Sequence, residues 1–121
     1  MPQDPPGASL SGTIEFLDVK EPASNVTVHV RVQETSRSDA PASTVAEEVL
    51  RGINIAPGVQ SIPFTVRGIP HDAQTRYSVR VHADVDGSGA VSRGDYVSTQ
   101  SYPVKAGGQP EALTIVVRPV R

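Results

Sequence analysis

The segment DVDGSGAVSRGDY, residues 84–96, brings acidic and hydroxyl side chains together around glycines in the manner of a cation site. Hard divalent cations need several oxygens at fixed angles. The twelve-residue calcium loop supplies them from side chains at positions 1, 3 and 5, a backbone carbonyl at 7, a water-mediated contact near 9 and a carboxylate at 12. Counting Asp84 as position 1 puts Asp86 at 3, Ser88 at 5, Gly89 at the sharp bend, Ala90 at 7, Ser92 near 9 and Asp95 at 12. Asp84, Asp86, Ser88, the Ala90 carbonyl and Asp95 are therefore candidate ligands of a calcium ion, with Val91 expected to turn toward the core. Aspartate in place of the usual glutamate at position 12 implies weak binding. Both flanks read as strands, so the ion would be structural and would stiffen one end of the domain. The same Asp-Gly and Ser-Gly pairs also suit a metal-free turn between strands, where glycine accepts a positive φ. Both readings stand at this level.

The histidines offer a second constellation. If the strands carrying them are neighbours, His29 and His82 share an outer face and, with Asp84, could form a two-histidine metal site. The competing reading makes them solvated residues among Thr27, Arg31 and Arg80. His71 and Asp72 follow Pro70 in an expected loop with no serine partner in view. Enzyme signatures are missing: the chain has no GxSxG elbow, no HExxH and no phosphate-cradling glycine loop. It also has no cysteine, which removes thiol catalysis and disulfides. The expectation is a protein that is not an enzyme.

The elements that must position these residues are strands. Eighteen valines and six isoleucines against four leucines, punctuated by 10 Gly and 11 Pro, favour pleated surfaces joined by turns. In NVTVHVRVQET, Val26, Val28, Val30 and Val32 alternate with Thr27, His29, Arg31 and Gln33, the period of a strand buried on one face. RYSVRVHA repeats the pattern, with Tyr77, Val79, Val81 and Ala83 inward and Ser78, Arg80 and His82 outward. LSGTIEF, QSIPFTVRG, DYVSTQSYPV and ALTIVVRPV add weaker strands. STVAEEVLRG carries a capping-box pattern, Thr44 to Glu47, but is too short for an unsupported helix and reads as a strand. Pro63, Pro103 and Pro119 should mark edges, bulges or strand ends. The expected fold is all-β: a small two-sheet antiparallel β-sandwich of about seven strands, Greek-key-like, over residues 10–121, preceded by a disordered tail over 1–9.

A net charge of -2 with mixed signs provides no field for phosphate backbones, so nucleic acid is not an expected partner. No stretch reaches the roughly 20 apolar residues of a membrane-spanning helix. Asn25-Val26-Thr27 matches a glycosylation acceptor but sits at a strand start, where a turn asparagine is the simpler reading.

Several pieces together resemble a known family. The run ETSRSDAPASTVAEEVL, with Ser36, Arg37, Asp39, Ala40 and Pro41 in its loop, then Ile62-Pro63-Phe64, TRYSVRVHADVDG and Tyr102-Pro103-Val104, is similar to the YbaY-type lipoprotein domain. The pilotin-like lipoproteins of type III secretion systems, the YscW group, belong to the same family. The resemblance covers about residues 11–120 and implies a small β-sandwich of the bacterial cell envelope without catalytic residues, acting in places as a chaperone or pilot. It implies another envelope protein as partner and the periplasm or envelope as location, with the cytoplasm the expectation if Met1 is the native start. The family's anchoring cysteine has no counterpart in this chain, and the Asp86–Asp95 segment is longer than the family's hairpin. Two functions follow: a non-catalytic envelope accessory domain that binds another protein, or a calcium-stabilised module that binds a glycan or surface polymer through its loops.

Overall fold

The computed structural model describes residues 8–35, 43–58, 60–69, 76–100, 102–104 and 112–120. The alternating valines do what their period dictates. Val26, Val28, Val30 and Val32 are all fully buried on β2 (Ala23–Glu34), and Val79 and Val81 face them from β5 (Tyr77–Asp84). The β2–β5 ladder is antiparallel and sets Val30 beside Val81 and His29 beside His82. Burying a valine stabilises by about 1.5–3 kcal/mol relative to exposure, so this one wall is a main source of cohesion.

The other strands are β1 (Ala8–Phe16), β3 (Ser43–Ile55), β4 (Gln60–Ile69), β6 (Tyr96–Ser98), β7 (Pro103–Val104) and β8 (Leu113–Pro119). STVAEEVLRG is a strand, within β3, as its length suggested. DYVSTQSYPV is not a single strand. It forms two short ones, β6 and β7, which pair with opposite ends of β5.

The expected two-sheet, Greek-key-like sandwich is not formed. All strands belong to one sheet in the order β3-β2-β5-β6-β8-β1-β4, with β7 beside β5, and this sheet curls into a nearly closed barrel. Its two terminal strands, β3 and β4, come alongside each other without a ladder among the described residues. Nor is the pairing wholly antiparallel, because β1 and β8 run parallel from Gly12–Leu113 to Phe16–Val117.

Two features explain the closure. Register shifts interrupt the β2–β3 ladder three times and the β1–β4 ladder once, and such bulges bend and twist a sheet. Gly12 then lets β8 approach: a Cβ there would lie 1.8 Å from the Leu113 carbonyl oxygen. Alternation could not distinguish barrel from sandwich, since both give each strand one dry wall. The barrel's dry interior holds Leu10, Ile14, Phe16, Val66, Ile115 and Val117 with the β2 and β5 valines. Pro63 lies on the terminal strand β4, Pro103 opens β7 and Pro119 closes β8, the places open to a residue without an N–H.

Candidate functional site

The loop after β5 is held by its own carboxylates. Asp84, the last residue of β5, is buried; its Oδ1 accepts the Gly87 N–H at 3.0 Å and its Oδ2 the Gly89 N–H at 2.8 Å. Gly89 has φ 83°, the left-handed bend expected at the sixth loop position. Asp86 is exposed and accepts the Ser88 N–H at 3.1 Å. That amide, followed by the Ser88 hydroxyl and the Asp84 carboxyl, lowers the Asp86 pKa to about 2. The Ser88 and Ser92 hydroxyls both donate to the Ala90 carbonyl, at 3.1 and 3.2 Å, and lie 3.2 Å from each other. Asp95 closes the loop: its Oδ1 accepts the Val85 N–H at 2.9 Å and its Oδ2 the Ser92 N–H at 3.0 Å.

All five sequence-predicted loop residues thus lie in one hydrogen-bonded turn. Val91 departs from expectation. At 59% exposure it points to solvent rather than the core.

His82 departs further, since alternation placed it on the wet face and it is buried. The loop folds back over that face, and His82 Nε2–H donates to Asp95 Oδ2 at 2.8 Å. Only Arg80 among the β5 residues is exposed, so the strand is covered on both walls. His82, Asp84 and Asp95 offer ligand atoms that all lie within 4.8 Å of one another. His29 is next to His82, as the neighbour-strand reading required, with the rings stacked at 6.0 Å. It does not join the cluster. Its Nδ1 faces Glu47 Oε2 at 3.4 Å and has no hydrogen-bond partner among the described residues, so the two-histidine site is not assembled. Glu47 is bound instead by Arg31 Nε at 2.8 Å, and this hydrogen bond holds its carboxyl below the usual range.

A cleft of about 360 Å³ opens beside the loop. Ala23, Val85, Tyr96 and Pro119 give it an apolar floor, and Asp18, Lys20 and Glu21 contribute charge at its side. Tyr96 is fixed by an edge contact with Phe16, ring centroids 5.5 Å apart, and burial raises its phenol pKa. No periodic signal marks the cleft, because its lining comes from the ends of four separate segments. Ser36, Arg37, Asp39, Ala40, Pro41, His71 and Asp72 lie outside the described residues. At the glycosylation-like triplet, Asn25 takes φ 59° within a bulge and Val26 is fully buried, the structural role of a turn asparagine.

No family model matches the chain. No curated protein matches it either. Among solved structures, the chain is similar to an alternative pilotin from the type II secretion system of Vibrio cholerae, with 24% identity, 93% of this chain and 96% of that chain covered, and a TM-score of 0.68. The likeness establishes that this chain has a pilotin-like fold.

Proposed function

We propose that the chain is a non-catalytic accessory domain of the bacterial cell envelope, of the YbaY/YscW kind, that binds a segment of another protein in a pilotin-like or chaperone role. The observation that carries this reading is the shared fold across nearly the whole of both chains. The cleft supports it chemically. An apolar floor with Asp18, Lys20 and Glu21 among the lining residues suits an amphipathic peptide better than a small polar substrate.

The alternative, glycan binding through loops, lacks a stacking platform. All three tyrosines and both phenylalanines are buried, and the chain has no tryptophan.

The test is site-specific photocrosslinking from Lys20 in cells that express the chain. A discrete protein adduct is expected, lost when Ala23→Arg fills the cleft and retained when a crosslinker at Lys20 is combined with Arg67→Ala on exposed β4. An adduct pattern indifferent to Ala23→Arg, or none at all, overturns the reading.

A further inference from the structure

On the side of β5 away from β2, the ladder is interrupted. β6 pairs with β5 at His82 and Ala83, and β7 pairs with it at Tyr77 and Ser78, so residues 99–102 bridge an interval in which no strand runs beside it. Two β5 amides in that interval find other acceptors. The Val79 N–H donates to the Tyr102 carbonyl at 3.0 Å and the Val81 N–H to the Ser98 hydroxyl at 3.1 Å. A polar pocket of about 270 Å³ opens there, with Gln33, Ser78, Arg80, Ser98, Thr99 and Gln100 in its lining. It shares no lining residue with the cleft beside the 84–95 loop.

Two groups give this pocket a surplus of donors. The first is Arg80, whose exposed guanidinium has no ion pair and no hydrogen bond among the described residues. Its cross-strand neighbour on β2 is a second arginine, Arg31, and like charges set opposite each other cost stability. Arg31 is neutralised by Glu47 at 2.8 Å, whereas no acidic side chain lines the pocket that holds Arg80. The second group is the Ser98 hydroxyl, on a residue only 8% exposed. Its oxygen accepts the Val81 N–H, and its own O–H has no acceptor among the described residues. A buried hydroxyl with a proton to give, lining the same pocket as an unpaired guanidinium, calls for an acceptor from outside the chain.

We propose that this pocket binds a carboxylate, held by the Arg80 guanidinium and the Ser98 hydroxyl. The planar fork of an arginine matches a carboxylate with two parallel hydrogen bonds. The charge matches as well. One free cation suits a monoanion, whereas a phosphate dianion needs a second, and Arg31 is already held by Glu47. A neutral sugar leaves the arginine without its counter-charge. Thr99 and Gln100, exposed at the rim, offer a hydroxyl and an amide to whatever carries the carboxylate. The site stands independently of the partner-binding reading above.

The test titrates the full chain, at fixed ionic strength, with acetylglycine as a chain-end carboxylate and separately with inorganic phosphate, while backbone amides and the Arg80 Nε–H are followed by NMR. Acetylglycine should shift the Val81, Thr99 and Gln100 amides and the Arg80 Nε–H saturably, with a dissociation constant of about 1–20 mM, the range open to a ligand of so few atoms. Its uncharged amide should shift none of them. Arg80→Gln removes an exposed side chain outside the core, so it should weaken acetylglycine binding ~10-fold or more and leave the melting temperature unchanged. Arg51→Gln, the same loss of charge at an exposed position of β3, should leave binding intact. Absence of any saturable shift up to about 100 mM acetylglycine overturns the site, since that lies well beyond the expected range. An undiminished response in Arg80→Gln, an equal loss in Arg51→Gln, or phosphate binding tighter than acetylglycine also overturns it.

Discussion

His82 and Asp95, 13 residues apart in sequence, meet at 2.8 Å beneath the loop that joins their strands. The same carboxylate also takes the Val85 and Ser92 amides, so one buried side chain ties β5, the loop and the start of β6 together. Removing the imidazole leaves a buried acceptor short of a donor and a void beside it. His82→Ala should therefore destabilise by about 2–4 kcal/mol, and His82→Asn, which keeps an N–H, by less. Urea unfolding of the two variants checks the ranking.

Gly12 pairs with Leu113 where β1 and β8 leave no room for a side chain. A methyl group there collides with backbone, the Leu113 carbonyl, which cannot swing away as a side chain would. Gly12→Ala should cost more than about 2 kcal/mol and loosen the parallel ladder. Hydrogen exchange of the β8 amides should accelerate selectively.

The Arg31–Glu47 pair gives a pH signature. The Arg31 hydrogen bond depresses the folded-state Glu47 pKa below its ordinary 4.5. A depressed acid contributes its stability above the ordinary value and loses it as pH falls through the lowered one. The pair is about a third exposed, so its contribution stays below about 1 kcal/mol. Arg31→Gln should return the Glu47 carboxyl toward 4.5 in an NMR titration, with wild-type and variant stabilities differing at neutral pH and converging in strong acid.

Tyr102 joins β5, the β6–β7 segment and β8. Its carbonyl accepts the Val79 N–H at 3.0 Å and its hydroxyl accepts the Val116 N–H at 2.9 Å. Tyr102→Phe preserves the ring and orphans the Val116 amide, for an expected cost of about 1–2 kcal/mol in thermal or chemical unfolding.

Strand content was legible wherever one wall of a strand faces the interior and the other faces water. Val26 to Val32 declared β2 because each odd-even step changes environment, and the turn over 84–95 was readable because Asp, Ser and Gly recur at close intervals. What escaped is what depends on long-range placement. His82 obeys the strand period and is still buried, because the loop that follows β5 folds back over it and brings Asp95 against it. The barrel escaped for a related reason: closure rests on bulges and on Gly12 touching Leu113, and neither leaves a periodic trace. The cleft was invisible because Lys20, Val85, Tyr96 and Pro119 share no local pattern.

The placement of β8 between β6 and β1 governs how the molecule is built. Without that strand the sheet falls into two pieces, β3-β2-β5-β6 and β1-β4, each with a naked hydrogen-bonding edge. During synthesis the two halves must wait for residues 113–119 before they can be stitched together, and such distant pairings are slow to form. Until then the nascent chain presents the β6 and β1 edges that β8 later covers, open ribbons of the kind that other chains can pair with.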